Sequence, residues 1–286
     1  LFTFVQSLKF ANQIEMKNII KSTLVLAGIV SVTMISCRRD RDSDTNSAQD
    51  NSLAESSFDD ANDMADQVGK GGTLELKLEA DASLLSTCAT VTRDTTTDPK
   101  TITIDFGSSN CTCSDGRVRR GKVLVSYTGK YREVGAHIVI GFEDYYVNDN
   151  HIEGTRTIDN EGFNADNNLV FHVVVDGTVT KSDGTVILWT CDKTREWVEG
   201  YDTDVRTDDV YEVTGTASGT RANGTTFTAE TVTALTRKVS CHQFVSGQLR
   251  LTPSGKPERL IDFGNGDCDD EATVTINGND YTIQLH

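Results

Sequence analysis

The residue types that could carry chemistry are present, but little in their spacing selects a reaction. His137, His151, His172, His242 and His286 are scattered, without a His-Glu-x-x-His run or a close pair. Gly215-Thr216-Ala217-Ser218-Gly219 places its serine wrongly for a nucleophile elbow and lies in a strand pattern with no helix after it. Neither phosphate-cradling glycine motif occurs. Carboxylates are abundant, and a glycosidase needs only two. Glu143, Asp144, Glu196, Glu199, Asp208 and Asp209 sit in or beside aromatic strands, but their spacing singles out no pair. The expectation is a protein that is not an enzyme.

Metal chemistry is no better specified. Cys111-Thr112-Cys113 has one residue between its thiols, and no His-x₃₋₅-His accompanies it, so zinc is not expected. Asp40, Asp42 and Asp44 begin like an EF-hand loop, but Thr45 and Asn51 stand where that loop needs Gly and Glu. Two acidic clusters, Asp202/Asp204/Asp208/Asp209 and Asp267/Asp269/Asp270/Glu271, offer hard oxygen ligands without a recognised order. No cofactor is expected, with calcium as the alternative. Trp189 and Trp197 flank Cys191-Asp192-Lys193. They are the candidate glycan contacts, because strand aromatics can stack on sugar rings; the competing reading places them in the core.

Cysteine spacing organises the rest. Cys88 to Cys111 closes with Ile104-Asp105-Phe106-Gly107-Ser108-Ser109-Asn110-Cys111, and Cys241 to Cys268 closes with Ile261-Asp262-Phe263-Gly264-Asn265-Gly266-Asp267-Cys268. The repeat predicts disulfides Cys88–Cys111 and Cys241–Cys268, each closing a strand pair. Cys113 and Cys191 remain, either as a third pair or as free thiols.

The N-terminus reads as an export signal. Met16-Lys17-Asn18-Ile19-Ile20-Lys21 is basic, Leu24 to Ile35 is apolar, and Ser36-Cys37 follows. Residues 1–15 are expected to be an over-extended translation start, and 16–36 a signal peptide. The Met34-Ile35-Ser36-Cys37 site resembles a bacterial lipobox, which implies lipid attachment at Cys37. Arg38 rather than Asp follows the cysteine, and by resemblance to lipoprotein sorting this favours the outer membrane, with the leaflet open. The net charge of −16 argues against nucleic acid as a partner. Residues 37–56 read as a disordered tether, polar and without apolar period.

From residue 57 one β-rich domain is expected to run to residue 286. It opens with a short helix over Phe58–Val68, capped by Ser57, with Phe58, Ala61, Met64, Ala65 and Val68 on one stripe. From Thr73 the period becomes two, beginning with Leu74, Leu76 and Leu78. Some dozen runs rich in Thr, Val, Ile, Tyr and Phe follow. Asp176-Gly177, Asp183-Gly184, Asn223-Gly224 and Asn277-Gly278 read as tight turns. The fold class is all-β: an antiparallel meander forming a strongly curved sheet, open barrel or sandwich, with one short N-terminal helix. A hydrophobic content of 37% implies one solvated face and excludes the continuous apolar band of a lipid-facing barrel.

The lipobox, the acidic tether, the Thr- and Gly-rich strands and the Ile-Asp-Phe-Gly-x₃-Cys repeats together resemble uncharacterised β-rich lipoproteins of Bacteroidota. The resemblance implies a lipid-anchored envelope protein, and many such proteins handle glycans. The expected function is a non-enzymatic binding or interaction module, held to the membrane by its lipid, whose partner is a glycan or an envelope protein. The alternatives are a structural envelope protein without a small ligand and a glycan hydrolase using strand carboxylates.

Overall fold

In a computed structural model, residues 42–68, 88–203, 205–241 and 243–285 are described. Among these residues one helix, α1 (Asn46–Val68), precedes fourteen strands. These are β1 (Thr90–Asp94), β2 (Lys100–Asp105), β3 (Cys111–Thr112), β4 (Val118–Thr128), β5 (His137–Val147), β6 (Asn150–Phe163) and β7 (Leu169–Thr180). They continue with β8 (Val186–Glu199), β9 (Val210–Arg221), β10 (Thr226–Lys238), β11 (Phe244–Pro253), β12 (Arg259–Asn265), β13 (Glu271–Ile276) and β14 (Asn279–Gln284). All belong to one antiparallel sheet in chain order, except that β3 pairs only with β4, so β2 meets β4 directly. Among the described residues the sheet is open, with β1 and β14 at its two edges.

The meander follows from local pattern. β8 alternates without a break, with Ile187, Trp189, Cys191, Lys193, Arg195 and Trp197 turned inward and Leu188, Thr190, Asp192 and Thr194 outward. Asp183-Gly184, Asn223-Gly224 and Asn277-Gly278 form the expected turns. Asp176-Gly177 does not. It lies inside β7, where Gly177 pairs with Gly154 of β6. A Cβ at Gly154 would sit 2.2 Å from the Asp176 carbonyl oxygen, so this crossing needs a bare backbone. Bulges interrupt the register between β5 and β6 and between β9 and β10, which bends the sheet.

The sheet curls around α1. The helix begins at Asn46, inside the stretch expected to be tether, and residues Ser47, Asp50, Asn51 and Ala54 are buried. The expected start at Phe58 is therefore corrected. Asp44 Oδ1 accepts the Asn46 amide at the helix start, while Ser57 Oγ donates back to the Leu53 carbonyl from mid-helix. A polar segment is ordered here because its acids meet cations on the sheet, a term that composition alone omits. Phe58, Ala61, Met64 and Ala65 do bury as one stripe. Phe58 stacks on Trp189 and meets Phe142 edge-on.

Both repeat disulfides form, Cys88–Cys111 and Cys241–Cys268. The Ile-Asp-Phe-Gly element does the same work twice. Ile104 and Phe106, like Ile261 and Phe263, enter the core. The intervening Asp105 and Asp262 each accept the amide two residues on, from Gly107 and Gly264. Cys113 and Cys191 do not pair; both are buried free thiols. Each is fixed in the packed interior, Cys191 by its inward position on β8. Among the described residues no helix is long and apolar enough to cross a membrane. Residues 1–41 with Cys37, and the Leu74–Leu78 run, lie outside the described residues.

Candidate functional site

Two places concentrate polar chemistry: the interior between α1 and the sheet, and the outer face of β7–β11.

The interior is an ion-pair lattice. Arg119 of β4 is fully buried and is gripped from two sides. Its Nε and Nη2 donate to Asp60 at 3.0 and 2.5 Å, and its Nη1 and Nη2 donate to Asp115 at 2.9 and 2.6 Å. Arg117 and Tyr145 also donate to Asp60, at 2.7 and 3.2 Å. The preceding residue, Asp59, pairs with Arg156 of β6 at 2.7 Å and Arg237 of β10 at 3.7 Å. Asp63 takes Arg237 and Arg206; Glu55 takes Lys193; Asp50 takes Lys181 and Arg221. Trp189 Nε1 donates to Asn51 Oδ1 at 3.0 Å.

Charge follows this geometry. Burial opposes ionisation of Asp59, but Arg237, Arg156, Arg195 and Lys193 outweigh it and hold the carboxyl down at about 2. Burial wins at Asp66, whose carboxyl is pushed up to about 6. Burial opposes the charge on Lys193, but Glu55, with Cys191 and Asp59, outweighs it and raises its pKa. Burial pushes the Cys191 thiol up to about 12, which makes it inert.

The outer face carries an open groove of about 580 Å³. Cross-strand pairing lines up Asp176, Thr190, Ser218, Thr228 and Thr252 in one row over five strands. A second row holds Val174, Asp192, Thr216, Glu230 and Arg250. Neighbouring strands lie about 4.8 Å apart, so Thr190, Ser218, Thr228 and Thr252 form a ladder of hydroxyls at that step, with the Asp176 carboxylate at one end. Thr190 and Ser218 share a hydrogen bond of 2.8 Å. Arg250 donates to Glu230 at 2.5 Å, and His172 Nε2 meets Asp192 Oδ1 at 2.9 Å on the rim.

The residues picked from sequence distribute unevenly. Trp189 and Trp197 are 1% and 2% exposed and cannot stack on an external sugar. Their alternation phase points them inward with Ile187 and Cys191. Glu143 is tied to Lys122 and Glu196 to Asn164 and Asn168, while Asp209 is buried. Asp208 accepts the Thr203 hydroxyl; Asp204, His242 and His286 lie outside the described residues. Asp267, Asp269, Asp270 and Glu271 are exposed. Among the described residues no group of three or more His, Cys, Asp or Glu side chains is placed to hold a metal ion.

No family model, curated protein or solved structure matches the chain. The two sites therefore rest on their own geometry.

Neither site was named from sequence, although both left a trace there. Lys193 and Arg195 share the phase of Trp189, Cys191 and Trp197, so cations stand where a simple core would be apolar. The groove's trace is weaker: Thr and Ser recur in the outward phase of β8–β11, but only register aligns them into rows.

Proposed function

We propose that this chain is a lipid-anchored, non-enzymatic binding module of the outer membrane, which presents the β7–β11 groove to a polyhydroxylated ligand of the glycan class. The observation that carries the reading is the row Asp176–Thr190–Ser218–Thr228–Thr252. Hydroxyls that both donate and accept, flanked by carboxylates that accept, complement the paired roles of sugar hydroxyls. Val174, partly exposed at the groove, supplies an apolar contact for a ring's C–H face. The interior argues against the lumen as a large ligand site, since α1 already fills it and its acids are committed to the sheet. The anchor is carried by the Met34-Ile35-Ser36-Cys37 resemblance.

The test is a glycan array with the purified chain, followed by calorimetry on any hit. Thr190→Val and Ser218→Val together should weaken binding roughly tenfold to thirtyfold, at about 1 kcal/mol per lost hydrogen bond, without unfolding an exposed strand face. An array with no hit, or a hit indifferent to both substitutions, would remove the groove from the reading. Asp192 and Glu230 flank Thr216 in the second row and give the hydrolase alternative its own check. Turnover of a bound glycan that disappears in Asp192→Asn or Glu230→Gln would convert the module into an enzyme.

A further inference from the structure

Within the lumen lies a small cavity of about 20 Å³, separate from the outer groove. One water needs roughly 10–15 Å³ of such space, so the cavity admits a single water or a slightly larger sphere and excludes polyatomic ligands such as phosphate. Its charged lining is unequal: Arg156, Lys193, Arg195 and Arg237 face only Glu55 and Asp59. Those two carboxylates are already committed, Glu55 to Lys193 and Asp59 to Arg156 and Arg237.

Arg195 is the cation that no carboxylate touches: Arg237 also has Asp63, whereas Asp66 and Asp59 act on Arg195 only from beyond ion-pair contact. It is 4% exposed, and its guanidinium carbon lies 3.6 Å from the Tyr211 ring centroid. Among the described residues, its Nε and Nη2 meet no hydrogen-bond acceptor and no carboxylate forms an ion pair with it. Asp66, the nearby acid, accepts instead from Asn62 Nδ2 at 3.0 Å. Arg156 Nε is likewise without an acceptor among the described residues. Buried guanidinium donors without an acceptor are costly, and a buried cation with no carboxylate in direct contact more so. Water could satisfy the donors, but it would leave the charge.

We infer that this cavity is a binding site for one monatomic anion of the halide class, held by Arg195 and Arg156 as a structural counter-ion between α1 and the sheet. The size admits only a small sphere, and the untouched guanidinium with its open N–H donors favours one that is singly negative and accepts several hydrogen bonds. This inference does not depend on the glycan reading, since the two sites lie on opposite faces of β8.

The deciding experiment is a crystal of the purified chain grown in sodium bromide, with data collected at the bromine absorption edge. The expected result is an anomalous peak in the cavity within about 3.5 Å of Arg195 Nε or Nη2. In solution, chloride should raise the melting temperature saturably by a few degrees over sodium gluconate at matched ionic strength. Arg195→Met should abolish that chloride-specific rise. Ordinary water density in the cavity without anomalous signal, or peaks confined to the surface as adventitious ions only, would overturn the site. Should Arg195→Met fail to fold, the bromide peak in the unaltered chain still decides.

Discussion

Phe58 of α1 occupies the space that a side chain at Gly177 of β7 would need: a Cβ built there would lie 2.0 Å from Phe58 Cζ. The helix is thus seated by shape as well as by charge. Gly177→Ala should destabilise by about 1–3 kcal/mol through overpacking, and Phe58→Ala by about 3–5 kcal/mol through the cavity it leaves. Urea unfolding would measure both. Because the two side chains compete for one volume, the double variant should cost less than the sum. Strict additivity would show that Phe58 is not lodged against Gly177.

Arg119 and Asp60 supply the second clamp on α1. Asp60→Ala strips Arg119 of one of its two carboxylates and leaves Arg117 and Tyr145 without an acceptor they now use. Breaking one side of a buried pair typically costs about 3–5 kcal/mol, whereas replacing both partners by apolar residues is often near neutral. Asp60→Leu with Arg119→Met should therefore recover a measurable part of the loss in a double-mutant cycle.

Stability should respond to pH with two opposite signs. Asp59 has its folded pKa depressed to about 2, so its contribution is fully present above the unfolded value near 3.8 and is lost as pH falls toward 2. That contribution is on the order of 2 kcal/mol. Asp66 has its folded pKa raised to about 6, so the fold prefers it protonated, and its ionisation subtracts stability as pH rises from near 4 through 6. Asp66→Asn should stabilise the protein by roughly 2–3 kcal/mol at pH 7 and by little at pH 3.5. Chemical denaturation at the two pH values, with and without the substitution, checks the sign directly.

Non-reducing peptide mapping should recover Cys88 linked to Cys111 and Cys241 linked to Cys268, with Cys113 and Cys191 as thiols. Each bridge closes a loop of similar length, with sequence separations of 23 and 27. Loss of either should cost about 3 kcal/mol on the chain-entropy account. Cys191 should resist alkylation until the protein unfolds, since it is buried and its thiol is held neutral.

Local pattern determined much of this protein. Period-two runs of β-branched and aromatic residues specified antiparallel strands, because alternation on a pleated backbone depends only on neighbouring residues. Asn-Gly and Asp-Gly pairs placed three of the turns for the same reason. The twin Ile-Asp-Phe-Gly elements marked both disulfides, since each is a short-range unit: two core residues, an aspartate closing its own turn, and a cysteine within reach. The apolar stripe Phe58, Ala61, Met64 and Ala65 was legible too.

Tertiary structure decided what depends on partners far along the chain. Residues 46–56 read as tether because Asp50 and Glu55 have no local reason to be buried; Lys181, Arg221 and Lys193, distant in sequence, provide it. Asp176-Gly177 read as a turn because only Phe58, from another element, reveals why a bare backbone is needed there. Trp189 and Trp197 stood as candidate glycan contacts beside the core reading until the sheet curled over one face and buried them. The hydroxyl row exists only through register, and register is a relation between strands that no single strand encodes.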